Sequence, residues 1–192
     1  MSAPERPAPP ADTTIEGAAL AAFARRLNPA SAAPLAVAVS GGGDSVALLA
    51  LAADWARRAG RRLLVLTVDH GLQPAAPAWT TFVVGLAGRL GAEARVLKWE
   101  GAKPSTGLPA AARAARHRLL AEATRAAGST VLLLGHTADD MAEAEVMRAE
   151  GTPLGRLHEW APSPVWPEGR GLMLLRPLLA ERRAVLRDWL SD

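Results

Sequence analysis

The chain has 192 residues, 49% of them hydrophobic and 21% charged, which suits one globular, soluble domain with a sizeable core. It contains no cysteine, so a disulfide framework, a zinc–thiolate site and cysteine-based catalysis are excluded, and a cytoplasmic location is favoured. The longest apolar run, Val46 to Ala53, is too short to span a bilayer and no signal peptide opens the chain, so no membrane partner is expected; a formal charge of +3 neither requires nor excludes nucleic acid.

Residues 1 to 12 are rich in Pro and Ala without periodicity, which predicts disorder. A helix follows, with Thr13 and Glu16 at capping-box spacing and Ile15, Leu20, Phe23 and Leu27 near one face. An alternation then begins. Leu35 to Ser40 reads as a buried strand, Asp44 to Ala59 as a helix, Leu63 to Val68 as a second strand and Ala76 to Leu90 as a second helix of that alternation. Ala94 to Trp99 is a third strand, Leu108 to Ala127 a long helix closed by Gly128, and Thr130 to Leu134 a fourth strand. Thr137 to Glu150 is helical, Gly151 to Gly171 with its four prolines is a loop, Leu172 to Leu175 is a fifth strand, and Glu181 to Leu190 is a last helix. Continuously apolar strands separated by helices imply an α/β, doubly wound, mainly parallel five-stranded sheet with helices on both faces. In such sheets ligands sit at the carboxyl ends of the strands, and three strand tips carry chemistry.

The first tip is Ser40-Gly41-Gly42-Gly43-Asp44-Ser45, between the first strand and its helix. Three glycines allow close backbone approach to a ligand, and the amides at the helix N-terminus form an anion nest. The expected ligand is a phosphate or pyrophosphate, with the hydroxyls of Ser40 and Ser45 as added donors. No Walker A frame can be drawn. Asp44 beside a phosphate would be repulsive without a cation, which suggests Mg²⁺ as a bridge; capping of the helix is the alternative role for Asp44 or Ser45.

The second tip, Val68-Asp69-His70-Gly71-Leu72, places a carboxylate and an imidazole for a ligand, with an ordinary polar loop as the alternative. The third, Gly135-His136-Thr137-Ala138-Asp139-Asp140, carries paired carboxylates that could hold Mg²⁺ or orient an amine. Thr137 and Asp140 also have capping spacing, so Asp140 is either cap or ligand, and His136 either a ligand contact or a satisfied structural histidine.

At the first tip the chain resembles the PP-loop ATP pyrophosphatases, whose fingerprint is S-G-G-x-D-S. That resemblance implies the adenine nucleotide α-hydrolase type of fold, ATP bound with its leaving pyrophosphate in the loop, and cleavage between the α and β phosphates. The order and spacing of VDHGL and GHTADD, Arg113-Ala-Ala-Arg116-His117 and Leu175-Arg176-Pro177-Leu178-Leu179 resemble the tRNA(Ile)-lysidine synthetase branch over roughly residues 35 to 190. The branch implies ATP, Mg²⁺, L-lysine and tRNA(Ile) with a CAU anticodon as ligands, with lysine coupled to C2 of the wobble cytidine. By that likeness Asp44, His136, Asp139, Asp140, Arg113 and Arg116 are the catalytic candidates. Ser40 to Ser45, Asp69 and His70 are the nucleotide contacts, and Asp44 and Asp140 the metal ligands. A homodimer is a possible assembly, and the chain looks like an N-terminal fragment of a longer enzyme. His117 stands in the branch's Tyr position, and Gln73, Pro109, Met141 and Ala144 also depart from its pattern, while Glu143 remains. Relatives that thiolate tRNA through cysteine chemistry are excluded by composition; amide-forming ligases such as NAD or GMP synthetase, and a non-catalytic nucleotide sensor, are the alternatives. For the RNA, Arg113, Arg116, Arg118 and Arg125, with Arg156, Trp160, Trp166 and Arg170 of the 151–171 loop, form the candidate surface, or else a solvated helix face.

Overall fold

The computed structural model describes residues 14–72, 76–152 and 155–191. The expectation for residues 1 to 12, the Thr13 cap and the Gln73 departure lie outside these. Thr14 caps the first helix, α1 (Ile15–Arg26), its side chain accepting the Gly17 N–H at 3.1 Å. The alternation then runs β1 (Leu35–Ala38), α2 (Gly43–Arg58), β2 (Leu63–Asp69), α3 (Ala76–Arg89), β3 (Glu93–Lys98), α4 (Leu108–Ala126), β4 (Val131–Leu134), α5 (Ala138–Ala149), β5 (Trp160–Pro162), β6 (Met173–Leu175) and α6 (Arg183–Trp189).

The sheet order is β3-β2-β1-β4-β6-β5, parallel except for β5 against β6. The sheet therefore has six strands rather than five, and the stretch Gly151 to Gly171 is not all loop. Trp160-Ala161-Pro162 escapes a periodicity reading because it is three residues long and contains a proline, which a sheet accepts at its edge. The other elements lie within a residue or two of their expected limits. Ser40 and Thr137 fall just outside strand and helix, as strand-tip and N-cap residues.

Alternate strand residues serve opposite faces, as a two-residue period requires. On one face Leu35, Val37, Val65, Leu133 and Leu175 pack with Phe23 of α1, Leu48 and Leu49 of α2, Val83 of α3 and Leu186 of α6. On the other, Ala36, Leu64, Leu66, Leu132 and Leu174 pack with Leu120 and Ala121 of α4. These two layers hold β1, β2 and β4 in register, so their tips, with the beginnings of α2 and α5, open on the same edge. Among the described residues, no helix is long and apolar enough to cross a membrane.

Candidate functional site

A cavity of about 470 Å³ opens where the tips of β1, β2 and β4 meet α4. Ser40, Gly42, Asp44 and Ser45 line one side, Thr67, Val68 and His70 another, and Gly135, His136 and Asp140 a third. Arg116, His117 and Leu120 of α4 close it from the far face.

The loop after β1 is held by its own serines. Ser45 Oγ donates to the Gly42 carbonyl at 2.8 Å and accepts the Ser40 N–H at 3.2 Å, and the two serine hydroxyls lie 3.2 Å apart. Gly41 has φ +92°, a left-handed conformation that a side chain rarely adopts. The amides of Gly43, Asp44 and Ser45 form the first turn of α2, where no carbonyl four residues back in the helix is available to them. The positive end of the helix dipole thus stands at the cavity wall that Gly42, Asp44 and Ser45 line.

Gly135 at the tip of β4 faces this turn. A Cβ there would stand 3.0 Å from the Asp44 carbonyl oxygen and 3.1 Å from Ser45 Cα. The absent side chain thus lets β4 and its following residues close against the loop.

Three acids converge on the guanidinium, and a fourth on the backbone, of a residue that the sequence reading did not single out. Arg183, the first residue of α6, donates through Nε to Asp44 Oδ2 at 3.1 Å and through Nη1 to Glu143 Oε1 at 3.0 Å. Its Nη2 lies 3.5 Å from Asp140 Oδ1, and its backbone N–H donates to Asp139 Oδ2 at 2.8 Å. Burial pushes the Asp44 carboxyl up from its ordinary value, with the Arg183 charge offsetting part of that rise. Asp140 also suffers burial, but hydrogen bonds from Thr137, together with the neighbouring His136 and Arg183, outweigh it and hold the group below the usual carboxylate range. Thr137 and Asp140 do form the capping box that their spacing suggests, while Asp140 keeps a place on the cavity wall. Replacing Arg183 with methionine leaves three carboxylates facing one another. We expect a loss of roughly 1–2 kcal/mol in urea denaturation, partly restored by millimolar Mg²⁺.

The wall from α4 is cationic. Arg116 of α4 is half-buried; Arg176, which follows β6 and is 5% exposed, donates through Nε to His136 Nδ1 at 3.2 Å and through Nη1 to the His158 carbonyl at 2.8 Å. Burial, then these guanidinium charges, lower both His117 and His136 to about 4. Both imidazoles are therefore neutral at pH 7. Each starts from an ordinary value of 6.5, so between 6.5 and about 4 the unfolded chain binds more protons than the folded one. Stability is complete above that window and falls as the pH drops through it. Denaturation midpoints taken from pH 7 to 4 should decline, and a His117→Gln/His136→Gln double variant should decline less.

Not every candidate faces the cavity. Asp69 Oδ1 accepts the Gly71 N–H at 2.8 Å and shapes the exit of β2, whereas His70 lines the wall with its Nδ1 buried and without a hydrogen-bond partner among the described residues. Arg113 is exposed one turn before Arg116. Of the candidate RNA surface, Arg125 donates to the carbonyls of Pro167 and Glu168, and Trp160 lies in β5 beneath the Arg26 guanidinium. Trp166 and Arg170 pair at the β5–β6 turn, at the amino end of β6 and so away from the cavity. Of that set, Arg116 lines the cavity.

Residues 16–192 match the PP-loop domain family. The chain is 60% identical to the tRNA(Ile)-lysidine synthase of Caulobacter vibrioides over 180 residues, covering 90% of this chain and 44% of that protein. It is 47% identical to the synthase of the same name from Hyphomonas neptunium, over 83% of this chain and 44% of that one. The chain thus spans under half the length of these curated relatives. Among solved structures, the U34-tRNA thiolase of Methanococcus maripaludis superposes with a TM-score of 0.76 at 17% identity, covering 92% of this chain and 62% of the thiolase, a likeness of fold. With a glycine turn between β1 and α2 and a family match across almost its whole length, the chain belongs to the PP-loop domain family.

Proposed function

We propose that this chain is the ATP-pyrophosphatase domain of a cytoplasmic tRNA(Ile)-lysidine synthetase. The observation that carries the reading is the β1–α2 turn, Ser40 to Ser45, opening on the same cavity as Asp140, His136 and Arg116. High identity to two synthases of that name supports the choice of substrate.

In this reading the β and γ phosphates of ATP lie on the amides of the turn. The C2 carbonyl oxygen of the wobble cytidine attacks the α phosphorus, and the bond to the bridging oxygen breaks, releasing pyrophosphate. The ε-amine of lysine, its ammonium proton released to water, then adds at C2, the C2–O bond breaks, and AMP leaves with its electron pair. Charge gathering on the phosphates is met by the turn amides and by Arg116. Asp44 and Asp140, drawn together by Arg183, supply hard oxygen donors to the cavity and fit Mg²⁺, which would neutralise phosphate charge when bound. Asp139 is engaged by the Arg183 amide, and His136, lowered to about 4, is ill matched to proton transfer at neutral pH. Their role in this scheme is to position neighbours.

Exchange of labelled pyrophosphate into ATP, with and without a CAU-anticodon tRNA(Ile) transcript, tests the reading. Exchange dependent on that transcript is expected. Exchange that ignores tRNA but needs a small carboxylic acid would move the chain to the amidating ligases, and ATP binding with no exchange would make it a sensor.

A further inference from the structure

The outer face of α3 differs from that of every other helix. From Ala76 to Gly88 it carries no charged residue, whereas α1, α2, α4, α5 and α6 each carry acids and bases. Val83 and Ala87 are fully buried and form its inner face. Trp79 and Phe82, one turn apart, are 54% and 48% exposed. Two large aromatic rings side by side in water are an unusual surface for a soluble domain and mark a recognition site.

Their position says what is recognised. Trp79 lines the cavity together with Thr80, and its indole packs on the loop, Cε3 standing 3.3 Å from where a Gly41 Cβ would be. Phe82 Cδ1 reaches the same point at 4.0 Å. The rings therefore continue the cavity wall outward from the glycine turn. A base that is to receive the α phosphate must leave its stack and enter this mouth, and an unstacked base needs a flat apolar partner. The lack of any carboxylate between Ala76 and Gly88 leaves nothing on this face to repel an RNA backbone.

We propose that Trp79, extended by Phe82, is a stacking platform for an unpaired nucleobase of the RNA substrate at the mouth of the PP-loop cavity. The inference rests on the function proposed above and adds the residues that hold the single-stranded RNA.

The test is fluorescence anisotropy with a labelled CAU anticodon stem-loop RNA at low salt, beside calorimetric titration with MgATP. The proteins are the unaltered chain, Trp79→Ala, Trp79→Phe and Phe82→Ala. Trp79→Ala is expected to weaken RNA binding by roughly ten- to hundredfold, the scale of one lost base–aromatic stack. Trp79→Phe should recover most of it, Phe82→Ala should lose less, and the ratio of RNA to ATP affinity should shift in the same order. Equal RNA affinity for the unaltered chain and Trp79→Ala overturns the platform. So does a change in sedimentation coefficient without a change in RNA affinity, which would give the face to a second copy of the chain. If Trp79→Ala is misfolded by circular dichroism, Trp79→Phe and Phe82→Ala decide, and equality of both with the unaltered chain overturns the platform. An unaltered chain that binds MgATP but no RNA sinks the parent reading along with the platform.

Discussion

Asp44→Asn should slow pyrophosphate formation by about a hundredfold or more while leaving ATP affinity in the absence of Mg²⁺ unchanged or tighter. The substitution is nearly isosteric, so the first turn of α2 and its amides stay in place. Asp44 faces the cavity from the turn proposed to carry the phosphates, and a carboxylate there repels them unless a cation intervenes. Removing the charge thus relieves a repulsion in the ground state and would remove the proposed Mg²⁺ contact that offsets charge shifting onto the leaving group. The two effects have opposite signs, and single-turnover kinetics with and without Mg²⁺ separates them. Arg183 is part of the same balance. It donates to Asp44 Oδ2, and its charge offsets part of the rise that burial imposes on that carboxyl. Full activity in Asp44→Asn would remove Asp44 from the chemistry.

Gly135→Ala is expected to weaken ATP binding by about tenfold or more with little change in thermal stability. The new methyl would meet backbone at 3.0–3.2 Å, the Asp44 carbonyl and Ser45 Cα, and neither can rotate away as a side chain would. Relief must come from moving the tip of β4 or the turn. Both are anchored below by parallel pairing of β1 with β4, so the shift concentrates in the nest itself. Displacing the amides by a few tenths of an ångström spoils their common aim at one anion, which costs more binding than folding. A Gly135→Ala protein with unaltered ATP affinity would show that the turn and the β4 tip act independently.

The scaffold could be read from the chain because its signals are local. Apolar runs such as Leu63 to Leu66, bounded by Gly60 and Gly71, announce strand and turn without reference to anything distant. The glycine turn was equally plain, since its chemistry lies within six consecutive residues. What stayed hidden depends on contacts across the chain. Arg183 meets Asp44 from 139 positions away, and in sequence it is one arginine among many. Asp139 and Asp140 look alike as a pair, yet one binds the start of α6 and the other caps α5 while facing the cavity. Trp79 lies in a helix without a charged neighbour to mark its outer face, and the burial of Val83 and Ala87 shows that it lies outside. The candidate RNA surface is split between two ends of the sheet for the same reason. Arg125 and Arg170 share composition with Arg116, but strand direction puts them at the other end of the sheet.

A crystal structure with a non-hydrolysable ATP analogue and Mg²⁺ bears most directly on all of this. The β and γ phosphates should lie within hydrogen-bond distance of the amides from Gly41 to Ser45, with the α phosphate turned toward Arg116 and the tip of β4. A triphosphate bound elsewhere, with those amides facing only solvent, would contradict the account.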